Sequence, residues 1–444
     1  MQFDKQTRIG IIGAGAAGLT AAHFLKKLGY VNITVLEKEG RIGGKCCSLT
    51  YGGKSFDLGA NYITSSYKQV KKLAQEYGAA MYTEGPLHAF DASTNQFISL
   101  LQAVTKHSSF LTVFWQSIRY VWKRWWLEKI FSARHVGFKN ISKHPELTQS
   151  FQQWLQANGL QALEPVFSIP ITLMGYGNLD EIPAAYALTY MRTGTFINLL
   201  MAALNPSILG YPKRFVLGYE RLFEKISWEL EVFTNVEIKT IRRQGVLEID
   251  AVVHEQALNK IVSTPKTFVF DHLIAATPYP TFVELLADAK PEEKELAALV
   301  QVNPFVVTTY PVEKSAQLFA CTFSLPQPAL GEPNVVTRQF ANNNLVSFYT
   351  RFTQQQPIPK EKILENNKRF AEKMGLSPLP SDYCTYSAWA YFPHVDSATM
   401  QAGFYDRIEA LQGQQRVFYT GGLFAFELVE CITDYSKALI NQHF

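Results

Sequence analysis

The pattern of apolar and polar positions is clearest at the start of the chain. Residues 8–13 form a short apolar run typical of a buried parallel strand, and GAGAAG occupies residues 13–18. Residues 19–28 then show helical spacing, with leucines on one side and two lysines on the other. A second apolar run at residues 32–36 leads to Glu37. This order of strand, glycine-rich turn, helix and strand predicts a Rossmann unit.

Each glycine of the turn has a mechanical reason. Gly13 makes the tight turn, Gly15 lets the backbone approach a pyrophosphate, and Gly18 allows the helix to pack closely on the strand. The free N–H groups of the helix N-terminus favour the anion, and Glu37 can accept hydrogen bonds from ribose hydroxyls. The dinucleotide contacts predicted in this unit are Gly13, Gly15, Ala16, Ala17, Gly18 and Glu37.

The rest of the chain mixes both kinds of periodicity. Residues 85–211 are mostly helical in pattern, whereas residues 281–385 combine a charged helix near 291–300 with strand-like runs at 305–310 and 345–349. We therefore expect an α/β protein in which the Rossmann-type (GxGxxG) unit is accompanied by a mixed helical and sheet region.

Residues 110–129 stand out because they hold four of the seven tryptophans. On a helical wheel one face carries Leu111, Phe114, Ile118, Trp122 and Trp125, and the opposite face carries Gln116, Arg119, Lys123 and Arg124. Two interpretations stay open. The helix either packs on its own domain or rests in the headgroup zone of a membrane as a peripheral contact.

Composition excludes several function classes. The 444 residues are 47% hydrophobic and carry a net charge of +4 with the basic residues spread out, so nucleic acid is not an expected partner. The first predicted strand begins so early that a signal peptide is not expected, and no apolar run reaches about 18 residues. We expect a cytoplasmic protein, with peripheral contact to the membrane as an open alternative. The sequence does not predict its oligomeric state.

The five cysteines show neither CxxC nor metal-ligand spacing, so reduced thiols and no metal site are expected. The adjacent pair Cys46 and Cys47 could be interpreted as a redox couple, but neighbouring residues rarely form a disulfide.

Residues 37–45, EKEGRIGGK, are similar to the extension that follows the Rossmann unit in the flavin-containing amine oxidase and phytoene desaturase superfamily. Residues 57–60, 268–278 and 416–422 resemble further segments of that superfamily. The resemblance implies non-covalent FAD, since residues 416–427 contain no cysteine. The additional FAD contacts that it implies are Lys38, Gly44, Lys45, Gly59, Ala60, Asn61, Ile241, Thr277, Gly421 and Gly422.

Two of these positions carry a reservation. The superfamily usually has Asp or Glu directly after the glycine at 421, and this chain has Gly422. The strand at residues 235–241, whose backbone near Ile241 would meet adenine, can equally be plain sheet. The resemblance also implies an interleaved layout, with FAD-binding pieces at 1–84, 212–280 and 386–444, a helical substrate part at 85–211 and a sheet part at 281–385.

Within the superfamily, several runs look like the bacterial polyenoic fatty acid isomerases. These runs are Gly175-Tyr176-Gly177, Pro183-Ala184-Ala185-Tyr186, Tyr391-Phe392-Pro393-His394-Val395 and Asp434-Tyr435-Ser436-Lys437. The resemblance implies hydride transfer at flavin N5, taken from a CH2 between two double bonds and returned to another carbon. Alternatives are a lipid or carotenoid-type desaturase and an amine oxidase, although the strand at 302–306 lacks the lysine of the amine oxidases. A non-catalytic flavin scaffold is a further class.

The candidate catalytic side chains are His394 and Tyr176. His394 has the alternative interpretation of a structural hydrogen-bonding group, and Tyr176 has that of a core aromatic residue. The predicted substrate pocket contains His88, Met174, Tyr176 and Phe392. Only His88, or alternatively Arg119, offers an anchor for a fatty carboxylate, so another unsaturated lipid is also compatible with the sequence.

Overall fold

The computed structural model describes residues 3–132, 137–204, 211–257, 260–313, 321–339, 344–377 and 384–444. The strands are β1 Ile9–Ile12, β2 Ile33–Leu36, β3 Ser48–Tyr51, β4 Lys54–Asp57, β5 Met81–Thr83, β6 Leu87–Asp91, β7 Gln96–Ser99, β8 Lys213–Phe215, β9 Glu231–Phe233, β10 Val236–Arg242, β11 Leu247–Ala257, β12 Lys260–Phe270, β13 His272–Ala275, β14 Gln301–Pro311, β15 Cys321–Leu325, β16 Pro333–Arg338, β17 Leu345–Arg351, β18 Thr385–His394 and β19 Val417–Tyr419. The helices are α1 Ala16–Lys27, α2 Gln69–Glu76, α3 Leu100–Thr105, α4 Phe110–Ser132, α5 Pro145–Thr148, α6 Phe151–Ala157, α7 Glu164–Ser168, α8 Ala184–Tyr190, α9 Thr193–Leu204, α10 Glu220–Ser227, α11 Tyr279–Leu285, α12 Pro291–Ala298, α13 Lys360–Lys373, α14 Ser397–Gln401, α15 Phe404–Glu409, α16 Gly422–Ala425 and α17 Val429–His443.

A five-stranded parallel sheet has the order β19-β13-β1-β2-β9. All four residues of β1 are buried, because strands of a parallel sheet are covered on both faces. Helix α1 returns the chain from β1 to β2 and packs against α17. The predicted Rossmann-type α/β fold is confirmed.

A seven-stranded mixed sheet has the order β18-β14-β17-β16-β15-β6-β7. The pairing of β6 with β15 is parallel, and the other pairings are antiparallel. The strands predicted at 305–310 and 345–349 lie in β14 and β17 at its centre.

The structure differs from the expected layout at two places. Strands β6 and β7 come from the segment that was expected to be mostly helical, and they extend the seven-stranded sheet through β15. Strand β18 was assigned to the last nucleotide-binding piece, yet it pairs with β14 over most of its length. These three strands are short or half-exposed, so their partners are set by distant residues and not by local periodicity.

A third sheet, β10-β11-β12, is antiparallel and projects as a long hairpin. Within residues 268–278, the strand expected after Asp271 is β13, and β12 ends just before this residue. The carboxylate of Asp271 accepts the backbone N–H of Arg8 at 2.8 Å, which fixes the start of β13 beside β1.

All five cysteines are free thiols, as expected, and burial raises the pKa of the Cys46 thiol. In the described ranges no helix is long and apolar enough to cross a bilayer. Those ranges also contain no group of three or more His, Cys, Asp or Glu side chains arranged for a metal ion.

Candidate cofactor and substrate site

The glycine-rich turn lies at the carboxyl end of β1, where open α/β sheets bind their ligands. Gly13 has a φ of +105°, which favours glycine, and its N–H donates to the carbonyl of Leu36 at 2.8 Å. A Cβ at Gly18 would overlap the carbonyl oxygen of Gly13, so helix α1 can approach the turn this closely only without a side chain there. The roles expected of both glycines are those the geometry requires.

Gly15 is different, because it faces a second turn instead of its own helix. A Cβ built on Gly15 would lie 3.8 Å from the Cα of Gly44, and Gly15 forms a bridge with Gly43. No side chain caps the N-terminus of α1, which leaves the N–H groups around Ala16 available to an anion. Two glycine turns and an uncapped helix N-terminus therefore form a cradle that fits a pyrophosphate.

Glu37 is buried at the end of β2, and its carboxylate accepts the backbone N–H of Ala14 at 2.7 Å and that of Glu39 at 2.9 Å. These bonds fix the carboxylate next to the glycine turn. Lys38, by contrast, is exposed and lies 3.5 Å from Glu39. The structure does not bring Lys38 together with the other predicted contacts.

The segment Gly59-Ala60-Asn61 runs beside the second turn. The N–H of Ala60 donates to the carbonyl of Lys45 at 3.1 Å, and a Cβ at Gly59 would overlap that same carbonyl. Thr277 follows β13 and places its backbone N–H 3.5 Å from a Cβ built on Gly13. Most of the predicted FAD contacts thus lie around one edge of the parallel sheet.

Ile241 is fully buried, and its carbonyl accepts the N–H of Ala287 at 3.0 Å. That carbonyl is therefore engaged within the protein. The contact predicted between Ile241 and adenine stays a prediction.

One cavity connects this edge with the seven-stranded sheet, and it encloses about 980 Å³ of space including its open mouth. Ala16, Gly43, Lys45, Gly59, Ala60 and Asn61 line it on the nucleotide side. Met174 and the aromatic side chains of Tyr62, Tyr67, Tyr176, Tyr190, Phe305, Tyr349, Trp389 and Tyr391 line it on the other side. This cavity is lined by five of the predicted cofactor contacts, Ala16, Lys45, Gly59, Ala60 and Asn61, and by two of the predicted substrate contacts, Met174 and Tyr176.

Tyr176 is held in the wall by its neighbours. Its ring stacks on Phe426 with centroids 4.9 Å apart, and its hydroxyl donates to the carbonyl of Glu427 at 3.2 Å. Burial raises the pKa of the Tyr176 phenol well above its usual value, so the ring is neutral at physiological pH. A neutral aromatic wall suits an apolar chain.

His394 does not line the cavity. Its ring stacks on Phe392 with centroids 4.7 Å apart, and its Nδ1 lies 2.8 Å from the carbonyl of Phe392. Burial lowers the pKa of His394, which favours the neutral imidazole donating to that carbonyl. This geometry matches the structural role that the sequence left open for His394, and it gives no support to an acid–base role.

Two other pocket candidates also lie outside the cavity lining. Phe392 is fully buried with a φ of +50° and packs against Tyr176, so it supports the wall from behind. His88 is on β6, paired in register with Thr322, within the seven-stranded sheet. Arg119 lies on α4 near Gly159. The cavity lining therefore includes neither anchor expected for a carboxylate.

Sequence reasoning missed Trp389, Tyr391 and Glu427. Trp389 and Tyr391 alternate along β18, and the indole N–H of Trp389 donates to the carbonyl of Leu58 at 2.8 Å. Their period of two was a visible signal for one face of a strand. Glu427 is paired with Lys45 at 2.7 Å across 382 residues of sequence, which no local pattern could have shown.

The comparisons with known proteins agree with this geometry. The family model of the NAD(P)-binding Rossmann-like domain matches residues 11–77. The FAD-dependent oxidoreductase dpchF of Colletotrichum higginsianum (strain IMI 349063) is 23% identical over 96% of this chain and 90% of its own length. The crystal structure of a CLA-producing fatty acid isomerase from P. acnes superposes with a TM-score of 0.84 at 23% identity, covering 100% of both chains. The chain has the FAD-dependent, amine-oxidase-like oxidoreductase fold.

A polyenoic fatty acid isomerase of Ptilota filicina is 22% identical over 67% of this chain and 62% of its own length. The predicted resemblance to the superfamily and to the polyenoic fatty acid isomerases is thereby confirmed. At these identities the structural likeness establishes the fold, and the reaction has to be argued from the site.

Proposed function

We propose that this protein is an FAD-dependent enzyme that moves a double bond within an unsaturated fatty acid or a related lipid. The observation that carries the proposal is the shared cavity, in which a pyrophosphate cradle opens directly onto a neutral aromatic wall. Similarity to isomerases that act on polyenoic fatty acids supports the same reaction.

FAD is the cofactor. Glu37, the facing glycines Gly15 and Gly44, and the uncapped N-terminus of α1 provide the contacts that a dinucleotide requires. When bound, FAD supplies hydride chemistry, in which a hydride is accepted from the CH2 between two double bonds and returned to another carbon. Because the hydride returns to the same molecule, isomerisation needs no external electron acceptor.

The protein side chains orient the lipid and exclude water. Tyr176, Tyr391 and Phe305 form a contiguous aromatic group, with ring centroids 5.1 Å apart for the first two and 5.6 Å apart for the last two. Such a wall holds an apolar chain beside the cofactor contacts at Gly59 and Ala60 and keeps the reacting carbons dry.

The proposal is tested by anaerobic incubation of the holoprotein with linoleate. Ultraviolet absorbance reports conjugated dienes, and absorbance near 450 nm reports the flavin. We expect dienes to accumulate in the absence of oxygen while the flavin returns to its oxidised spectrum. A flavin that bleaches and stays bleached would establish a desaturase instead, and peroxide released with a panel of amines would establish an amine oxidase.

Helix α4 bears on where such an enzyme meets its substrate. Its buried face carries Val113, Ser117, Tyr120 and Arg124, and Tyr120 packs on Phe196 of α9 at 4.4 Å. The apolar face predicted from the wheel points outward instead. Phe110, Leu111, Phe114, Trp115, Ile118 and Trp122 are 47–66% exposed. An apolar patch of this kind marks an interaction surface.

We infer that this face of α4 rests on a membrane containing anionic lipids. On α4, Arg119 is exposed and Lys123 is half-buried, whereas the buried Arg124 is paired with Glu128 at 2.6 Å. Arg119 and Lys123 therefore supply positive charge that is complementary to anionic headgroups. Tryptophan beside basic side chains is the composition of an interfacial helix. Helix α9, which packs on α4, adds exposed Ile197, Met201 and Leu204. Its Asn198 also donates to Ser65, next to the cavity-lining Thr64.

Flotation with phosphatidylcholine vesicles, with and without phosphatidylglycerol, tests this surface independently of catalysis. We expect the wild type to float with the anionic vesicles and the Trp115→Ser variant to stay in solution. Trp228→Ser is the matched control, because Trp228 is equally exposed at 65% but lies beside Arg221 at the end of α10. The inference is overturned if the wild type does not float. It is also overturned if the wild type is a dimer in vesicle-free buffer and Trp115→Ser is a monomer, because the exposed face of α4 would then be a dimer interface.

A further inference from the structure

The loop between β19 and α17 places a carboxylate over Gly422. After the short helix α16, Phe426 adopts a φ of +85° and turns the chain back, with its N–H donating to the carbonyl of Gly422 at 2.8 Å. The next residue, Glu427, consequently lies above Gly422. A Cβ built on Gly422 would overlap the carboxylate of Glu427, so position 422 cannot carry a side chain while Glu427 is there.

Only one of the two carboxylate oxygens of Glu427 accepts a hydrogen bond from the described residues. Its Oε1 accepts the Lys45 ammonium at 2.7 Å, whereas Oε2 has no hydrogen-bond donor among the described residues. The side chain is 10% exposed and lines the cavity, so that exposure is toward the space between cofactor contacts and aromatic wall. A carboxylate oxygen that faces the cavity without a donor from the protein is free to accept a hydrogen bond from a bound ligand.

The surroundings define the chemistry of that ligand. Lys45 follows the second glycine turn, and the carbonyl of Glu427 accepts the hydroxyl of Tyr176 on the substrate side. The carboxylate therefore lies between the pyrophosphate cradle and the aromatic wall. A group that donates hydrogen bonds and carries no negative charge is required at this point, and the hydroxyls of a sugar-alcohol chain meet both conditions.

The geometry points to Glu427 as the binding residue that accepts a hydrogen bond from a ribityl hydroxyl of FAD, in the space that a side chain at position 422 would otherwise fill. Lys45 holds the carboxylate in place through their contact at 2.7 Å. This inference rests on the proposed function only in requiring FAD. It predicts that one carboxylate, placed at either position 427 or position 422, can bind the ribityl hydroxyl.

The exchange is directly testable by FAD affinity, measured from the rise in flavin fluorescence when the holoprotein is diluted. Loss of a charge-assisted hydrogen bond in Glu427→Ala is expected to weaken FAD binding about tenfold to hundredfold. Gly422→Asp alone is expected to weaken binding too, because its side chain meets Glu427. In the double variant Gly422→Asp/Glu427→Ala the next-nearest atom, Pro393 Cγ, is at an ordinary 3.4 Å, so binding should recover toward the wild-type value.

The FAD affinities of the wild type, the two single variants and the double variant together separate a binding role of Glu427 from a merely structural one. If Glu427→Ala retains wild-type FAD affinity, or if the double variant binds no better than Glu427→Ala, the inference is overturned. If the wild type itself binds no FAD, the proposed function fails as well, so the two failures are distinguishable. Melting of each variant after removal of FAD reports any loss of folding separately from loss of binding.

Discussion

Gly15 and Gly18 belong to the same turn, yet replacing each by alanine should have different consequences. A Cβ at Gly15 meets nothing closer than 3.8 Å, and the residue has an ordinary φ of −81°, so alanine fits the protein itself. A Cβ at Gly18 would overlap the carbonyl oxygen of Gly13 and would lie 3.1 Å from Ile11 and 3.2 Å from Ala276. The first methyl enters only the pyrophosphate cradle, and the second enters the packed interface of α1 and β1.

The expected magnitudes follow from these contacts. For Gly15→Ala we expect a change of about 1 kcal/mol or less in unfolding free energy, because only the N-cap position of α1 is altered. FAD binding should weaken by at least about tenfold, or about 1.4 kcal/mol. For Gly18→Ala we expect overpacking to cost about 1–3 kcal/mol of stability even without cofactor.

The assays are thermal melting of the FAD-free proteins and flavin fluorescence titration of each variant. Gly194→Ala is a suitable control, because Gly194 lies in helix α9 and its Cβ would meet only Ser65 Oγ at 3.7 Å. The reasoning is refuted if Gly15→Ala binds FAD like the wild type, or if it destabilises the FAD-free protein as much as Gly18→Ala does.

Two further predictions concern buried charges. Burial raises the pKa of Asp57 to about 6, so its contribution to stability is complete below about pH 4 and is lost as the pH rises through 6. Asp57→Asn should abolish this loss of about 3 kcal/mol. Urea unfolding between pH 4 and 8 measures it, and the prediction is disproved if the unfolding free energies of both proteins change equally with pH. Arg243 is buried and pairs with Glu293 at 2.5 Å and with Asp288 at 3.0 Å. Arg243→Met should lower the unfolding free energy by about 3–5 kcal/mol, because it leaves these two carboxylates buried without a positive partner. The exposed pair of Arg8 with Asp271 is the control, and Arg8→Met should cost about 1 kcal/mol or less; equal costs would contradict the prediction.

The Rossmann unit was predictable because its determinants are contiguous. The apolar run of β1, the glycine turn and Glu37 lie within 30 residues, and each one has a local physical reason. The strands at the centre of the seven-stranded sheet were also predictable, since β14 and β17 are long and apolar. Short strands such as β6 could not be assigned to a sheet in the same way, because their pairing depends on distant partners.

The cavity was only partly predictable for a similar reason. All five pocket and catalytic candidates came from segments compared with the family. Met174 and Tyr176 line the cavity, whereas His88, Phe392 and His394 lie outside the lining. A motif shared with a family locates a segment of chain, but it does not fix which side chains of that segment face the cavity. For α4 the wheel identified the apolar face correctly, and only the tertiary structure showed that this face is exposed.

The central claim is that a hydride leaves the lipid and returns to it, and deuterium labelling tests that claim most directly. Linoleate deuterated at the CH2 between its double bonds would be incubated with the holoprotein in ordinary water, and the conjugated product would be analysed by mass spectrometry. Hydride transfer inside a dry cavity predicts that the deuterium is retained at a new carbon of the product. Replacement of the deuterium by solvent hydrogen, as acid–base catalysis by a side chain would give, would contradict the account.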